Sequence, residues 1–378
     1  MKLSPALTGL RTYPFVRLTA ARRRLEAAGV DVIDFGVGEP REETPAFIRE
    51  ALVRALDPLT TYPQSEGLPD LRGAIADWAA RRFGTPLDPD TQVLPTLGSK
   101  EAIFHMAQVL GGDLVAVPAP AYPVYERGAA FAGKSVLELP LREDNGFLPD
   151  LDAVDARSWR DVALLWLNYP NNPTAATTPL GLYARAAELA REHGFVVACD
   201  EAYSEIYFGE TAPVSALQLP DLTGVAVFNT LSKRSSMPGY RSGFVAGDRD
   251  LIALLKRYRP NVGVAPQEFV QHAAAAAWRD EAHVEQVRAG YRAKRDVLLP
   301  VLERNGLRSA GGDATFFLWL DAGPQADTLA DRLLDGGIVL APGSFFGPAG
   351  RGYLRFALVP TLPDCERAAE RLEALLRR

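Results

Sequence analysis

Cationic work in this chain falls almost wholly to arginine. Of 41 Lys and Arg residues only six are lysine, at positions 2, 100, 134, 233, 256 and 294. Lys2 is terminal, Lys134 follows a glycine in a short connection, and Lys256 and Lys294 fall in Arg-rich helical patterns where a solvated charge is expected. Lys233 is different. It follows the β-rich run 225–229 in the loop Thr230-Leu231-Ser232-Lys233-Arg234-Ser235-Ser236, which ends in Pro238-Gly239. A lysine just past the C-terminal end of a strand sits where open α/β sheets bind ligands. Hydroxyls, backbone N–H groups and a cation such as Arg241 can surround a phosphate-like dianion there. A lysine among cations is pushed toward its neutral, nucleophilic amine. A solvated Ser-rich loop is the other reading of the same residues.

Three further motifs carry polar groups at strand ends. Asp200-Glu201-Ala202-Tyr203 follows an apolar run ending at Cys199. A carboxylate buried there is costly without a cationic partner, and a protonated ring nitrogen is such a partner. Tyr203 could donate to a phenolate on the same ring; helix capping by Asp200 is the alternative. Asn168-Tyr169-Pro170-Asn171-Asn172-Pro173-Thr174 follows the run 162–167. Its prolines keep the backbone extended and aim side-chain amides sideways, Asn172 toward the same phenolate, although a plain turn has the same composition. Leu97-Gly98-Ser99-Lys100-Glu101-Ala102 is a small-residue turn opening a helix expected over 102–110. It is either an anion site or a simple N-cap by Ser99.

The elements that must position these groups alternate between short apolar runs and longer Ala/Leu/Arg/Glu stretches, the pattern of an α/β chain with a largely parallel sheet. Strands are expected at 32–37, 93–95, 114–117, 135–139, 162–167, 195–199, 225–229 and 244–247. A second group, at 316–320, 338–340 and 354–358 with a helix from 363, reads as a smaller α+β unit. One helical stretch, 267–304, joins the two.

With 378 residues, 47% of them hydrophobic, the chain can bury one large core and a smaller second one. No run approaches the roughly 18 apolar residues of a membrane span, and residues 1–15 lack a signal-peptide core, so the expected compartment is the cytoplasm. A net charge of -6 gives no basic stripe for nucleic acid. Cys199 and Cys365 read as packing residues. His105, His193, His272 and His283 are scattered and adjoin no carboxylate or cysteine cluster, which disfavours a metal centre.

Together the four motifs supply an amine, a phosphate cradle, a ring-nitrogen partner and phenolate donors, the set that pyridoxal 5'-phosphate requires. Over nearly its whole length the sequence resembles the class I/II aminotransferases of fold type I. The resemblance implies a mainly parallel seven-stranded sheet sandwiched by helices plus a smaller α+β domain. It places the N-terminal arm and part of the small domain at 1–45, the cofactor-binding domain at 46–285 and the C-terminal small domain at 286–378. The family's phosphate-binding turn matches Gly98, Ser99 and Lys100, and its ring-stacking aromatic matches Tyr122. The phenolate asparagine and tyrosine match Asn172 and Tyr203, and the pyridinium aspartate Asp200. The Ser/Thr-x-Ser-Lys signature falls on Thr230, Ser232 and Lys233, with the phosphate arginine at Arg241. The α-carboxylate arginine resembles Arg355, and Gly38 lies in a loop over the substrate. Tyr62 resembles the tyrosine that crosses to the neighbouring subunit's phosphate, which implies a homodimer with shared sites. The family usually has glycine after Asn-Pro-Thr, where this chain has Ala175 and Ala176; alanine fits that turn if its φ stays negative.

The implied reaction is transamination between an amino acid and a 2-oxo acid, with Lys233, Asp200 and Tyr203 as the catalytic groups and Asn172 and Arg355 touching substrate. The N-terminal run from Leu10 to Leu18, with Val37-Gly38-Glu39-Pro40 and Thr44-Pro45, is similar to bacterial N-succinyldiaminopimelate aminotransferases of lysine biosynthesis. Arg11, Arg17 or Arg41 could meet a distal carboxylate. Aspartate, alanine, aromatic or LL-diaminopimelate aminotransferases would share every cofactor residue, and a carbon–sulfur β-lyase would share the scaffold.

Overall fold

A computed structural model describes residues 1, 5–8 and 14–377 of the chain. Neighbouring residues of its central strands feed opposite cores. In β5 (Val162–Asn168), Leu165 and Leu167 enter one hydrophobic cluster while Leu164 and Trp166 enter another. The same alternation divides Val197 from Ala198 in β6 (Val196–Asp200), and Val227 from Phe228 in β7 (Val225–Thr230). Strands covered on both faces read as continuous apolar runs, which is why they were visible in the sequence.

The other strands of this sheet are β2 (Val93–Thr96), β3 (Leu114–Ala119), β4 (Ser135–Pro140) and β8 (Gly243–Gly247). The seven lie in the order β2-β8-β7-β6-β5-β3-β4. All pairings from β7 to β4 are parallel, whereas β8 runs antiparallel to both β7 and β2. The C-terminal ends of β2, β3, β5, β6 and β7 therefore share one edge. The start of β8 lies on that edge too.

A second, four-stranded antiparallel sheet has the order β12 (Ala341–Pro342), β13 (Tyr353–Ala357), β10 (Phe317–Asp321), β9 (Arg308–Ser309). It packs with helices Ala282–Arg304, Ala326–Asp335 and Leu362–Leu376 in a separate hydrophobic cluster. β1 (Ile33–Asp34) pairs in parallel with β11 (Ile338–Val339), tying the N-terminal part of the chain to this unit. Among the described residues no helix is long and apolar enough to cross a membrane.

Several expectations need correction. The strand expected over 32–37 stops at Asp34, because Asp34 Oδ1 accepts from Gly36 N at 2.8 Å and turns the chain. The helix expected over 102–110 is Ser99–Met106, so it begins directly at the Gly98-Ser99 turn. The single helical stretch over 267–304 is two helices, Glu268–Arg279 and Ala282–Arg304, with an extended Asp280 between them. Asp280 accepts from His283 N at 3.0 Å, a local cap that competes with a continuous helix. Lys294 is no solvated charge: it is buried, pairs with Glu42 and donates to Leu358 O at 3.3 Å. The strands β9 and β12, two residues each, had no periodic signal to announce them.

Candidate active site

Along the shared strand edge lies a cavity of about 560 Å³. Gly38, Ser99, Lys100, Tyr122, Asn172, Asp200, Tyr203, Thr230, Ser232, Lys233, Arg241 and Arg355 all line it. Gly98 stands just behind, at φ 68°, and a Cβ there would lie 2.6 Å from Arg241 Nη2. Of the expected residues only Tyr62 is elsewhere, wholly exposed at 101% on the loop after helix Ala46–Arg54.

Lys233 sits on a single helical turn, Leu231–Arg234, whose cap is Thr230: its Oγ1 accepts from Ser232 N at 3.2 Å and donates to Ser242 O at 3.0 Å. The lysine amine donates to Gly38 O at 2.6 Å. Burial, opposed by Glu39 and reinforced by Arg355 and Arg241, pulls the amine down to about 8. An amine that loses its proton near neutral pH can act as both nucleophile and base.

Asp200 ends β6, level with Asn168 at the end of β5. Its carboxylate accepts from Tyr125 Oη at 2.7 Å and from Ala202 N at 3.3 Å, both neutral donors. Burial pushes it up to about 6, with Tyr125, Ala202 and the Lys233 charge pulling the other way. The adjacent Glu201 turns away from the cavity. There its Oε1 accepts from Ala216 N at 2.8 Å, and burial, opposed by the Ser215 hydroxyl and the Ala216 amide, pushes the carboxyl up to about 8.

Arg355 comes from β13, only 2% exposed. It donates to Asn172 Oδ1 and to Gly36 O, each at 2.8 Å, and its guanidinium lies 4.2, 4.6 and 5.3 Å from the ring centres of Phe317, Phe346 and Phe15. Asn172 thus faces the arginine as well as the cavity. A Cβ on Gly38 would come 2.8 Å from the Phe317 ring, so a bare backbone is required where this loop crosses the site.

Lys100, Arg241 and the first turn of helix Ser99–Met106 gather in another part of the lining. Arg241 donates to Pro238 O at 3.0 Å and Leu97 O at 3.2 Å. Burial, then Arg241 and Arg127, lower the Lys100 pKa. Of the candidate distal arginines, Arg11 lies outside the described residues and Arg17 is exposed on helix Pro14–Ala27. Arg41 is paired with Asp34 at 3.2 Å and lines an adjoining cavity of about 580 Å³.

Phe15 and Phe317 line the cavity without a sequence motif that pointed to them, and Tyr125 is the unexpected partner of Asp200, whereas Glu39 belongs to the 37–40 loop expected over the substrate. Only Tyr125 had a signal, standing three residues after Tyr122 at helical spacing. Three histidines each meet a single carboxylate, His105 with Glu101 at 3.4 Å, His193 with Glu192 at 3.7 Å and His283 with Asp280 at 2.6 Å. Among the described residues no group of three or more His, Cys, Asp or Glu could hold a metal. Cys199 and Cys365 are free and buried. Ala175 keeps the family's glycine-like turn at φ 60°, not the negative φ expected of it. Its amide donates to Asn171 O at 2.9 Å, and this hydrogen bond holds the turn in place.

The residues present fit pyridoxal phosphate. A buried carboxylate with only neutral partners calls for a cationic ring nitrogen, and the Lys100–Arg241–Ser99 end calls for a dianion. Residues 30–372 match the model of the family "Aminotransferase class I and II". The chain is similar to an LL-diaminopimelate aminotransferase of Aquifex aeolicus, 41% identical with 99% of each chain covered. Among solved structures, an aminotransferase from Neisseria meningitidis shares 34% identity at a TM-score of 0.91, covering 99% of this chain and 100% of that one. A probable N-succinyldiaminopimelate aminotransferase from Thermus thermophilus shares 32% at 0.89, with 96% and 99% covered.

Proposed function

We propose that this chain, which belongs to the class I and II aminotransferase family, moves an amino group from LL-2,6-diaminopimelate to a 2-oxo acid such as 2-oxoglutarate. It is a pyridoxal-phosphate-dependent aminotransferase with an α/β fold of that family. Bound pyridoxal phosphate supplies the carbonyl that carries the amino group and a ring that accepts the electron pair of the breaking Cα–H bond.

In this reading each lining residue has one task. Lys233 holds the cofactor and, once displaced by the substrate amine, takes the Cα proton on Nζ; an amine drawn down to about 8 suits that transfer near neutral pH. Asp200 keeps the ring nitrogen protonated, so its carboxylate gains the cation it otherwise lacks. Tyr203 and Asn172 donate to the phenolate oxygen and Tyr122 stacks on the ring. Gly98, Ser99, Lys100, Thr230, Ser232 and Arg241 enclose the phosphate. Arg355 grips the α-carboxylate through its planar fork and thereby sets the Cα–H bond across the ring.

The donor rests on one observation, the 41% identity over 99% of both chains with the Aquifex aeolicus enzyme. Glu39, the acidic lining residue besides Asp200, is suited to a free distal ammonium and would repel the extra carboxylate of a succinylated one. The second reading, N-succinyl-LL-diaminopimelate, is favoured by the likeness to the Thermus thermophilus structure. Either donor would place the chain in lysine biosynthesis. Single-turnover loss of the visible absorbance of the loaded enzyme, measured with both donors and with glutamate, aspartate and cystathionine, separates them. Faster conversion of the succinylated donor would reverse the assignment, and pyruvate release from cystathionine would make the enzyme a lyase. Loss of the visible absorbance band in Lys233→Ala tests the lysine itself.

The exposed side chains of Val53, Leu56, Leu59 and Tyr62 form a surface suited to a second copy of the chain, whose site Tyr62 would complete. Light scattering that finds only monomer in the active enzyme would reject this.

A further inference from the structure

Two residues beyond the cofactor lysine, the chain enters a buried polar cluster that no step above uses. Ser235 is 0% exposed, and its amide donates to Leu231 O at 3.0 Å, closing the turn that carries Lys233. Its hydroxyl meets His283 Nε2 at 2.8 Å, and His283 Nδ1 meets Asp280 Oδ1 at 2.6 Å. A proton on Nδ1 satisfies the carboxylate and leaves Nε2 to accept from the serine hydroxyl. Burial lowers the His283 pKa, which favours this neutral form, and the Phe47 ring packs against the imidazole at 5.4 Å.

Arg234, the residue between, is fastened to the same corner. It donates to Ala277 O at 2.8 Å, Asp280 O at 3.2 Å and Glu281 Oε1 at 2.6 Å, and lies 4.9 Å from the Trp278 ring centre. Asp280 itself accepts from His283 N, so one carboxylate both starts helix Ala282–Arg304 and fixes the imidazole. Ser–His–Asp order invites a hydrolytic reading, yet this serine is closed to solvent and lines neither of the two cavities described above. A group so placed can orient a neighbour but not attack a substrate.

We propose that Ser235, His283 and Asp280 form a positioning relay that sets where the Lys233 amine stands, by holding its turn against the corner between helices Glu268–Arg279 and Ala282–Arg304. The inference rests on Lys233 being the cofactor lysine. Because the second of those helices continues into the core of the smaller unit, the lysine is referenced to that unit as well as to the sheet.

The test uses loaded enzyme carrying Ser235→Ala, Ser235→Thr or His283→Gln, read by the pH midpoint of its visible absorbance and by kcat and KM for transamination. Ser235→Ala and His283→Gln are expected to move the midpoint by about half a pH unit and to lower kcat by about tenfold with KM nearly constant. Ser235→Thr, which restores a hydroxyl, is expected to return both toward the parent. A variant that melts earlier with an unmoved midpoint, or a shift that Ser235→Thr fails to reverse, overturns the relay. If His283→Gln does not fold, the alanine and threonine pair at Ser235 decides. Failure of the lysine assignment is distinguishable, because then Lys233→Ala would keep the band altogether.

Discussion

The strand-edge wall of the cavity and a second wall, assembled from the 36–39 turn, β13 and other distant parts of the chain, hold their polar groups in different ways. On the first, Asn168 and Asp200 are fixed by strand register, and Asn168 Nδ2 donates to Asp200 O at 2.8 Å. On the second, Arg355 is held by a side-chain amide, a loop carbonyl and three aromatic rings, while Gly38 and Glu39 arrive on a turn anchored through Asp34 to Arg22 and Arg41. In the proposed reaction the first wall carries the groups every turnover needs whatever the substrate, and the second carries those that read the substrate.

Breaking the strand wall should cost most. Asp200→Ala is expected to lower kcat by about 10²–10³-fold for every donor alike, with KM little changed. A donor-dependent loss would blur the distinction between the walls. Arg355→Lys replaces a planar fork with a point charge and should lower kcat/KM by about 10–100-fold, leaving cofactor affinity intact. Weaker cofactor binding in that variant would join the walls into one unit.

Glu201, next to Asp200 but outside the cavity lining, sharpens the contrast. Its folded pKa stands near 8, above the ordinary carboxyl value of 4.5, so the folded state binds the extra proton between those values. Stability from this group is full below the unfolded pKa and is lost as pH rises through the folded one. The advantage of Glu201→Gln over the parent should therefore grow by about 2 kcal/mol between about pH 6 and pH 8 and then level off, read by urea denaturation of both proteins. A flat difference would mean that Glu201 is ionised when buried. Phe15→Ala, in the second wall on helix Pro14–Ala27, should raise KM by about 3–10-fold at nearly constant kcat, through loss of a ring beside Arg355. The smallest effect is expected at Ala175→Gly: relief of a left-handed alanine, offset by glycine's greater freedom when unfolded, leaves at most about 1 kcal/mol of added stability by denaturant titration.

The same contrast explains what was legible beforehand. Strands β5, β6 and β7 announced themselves because both faces are buried, and the polar motif after each fell where a parallel strand must release it. Lys233, Asp200, Asn172 and Arg241 came into one cavity as their spacing implied. Phe15 and Phe317 did not stand out as lining residues, since one lies in the first turn of helix Pro14–Ala27 and the other opens β10, where an aromatic reads as core, and their neighbours across the cavity are far away in sequence. The break at Asp280 was hidden for a related reason: alanine-rich flanks favour helix, and only the side-chain cap onto His283 interrupts it. Lys294 looked solvated because its partner, Glu42, is remote in the chain.

The reversed direction of β8 has one more consequence. Because it returns from the shared edge, Lys233 and Arg241 lie on one hairpin, eight residues apart between two hydrogen-bonded strands. In the proposed reading, chemistry at one end of the ligand and anchorage at the other are thus spaced by a single uninterrupted piece of chain, like two marks on a ruler. An inserted or deleted residue between them would alter that ruler's length, so this connection is the surface-adjacent segment where length variation should be least tolerated.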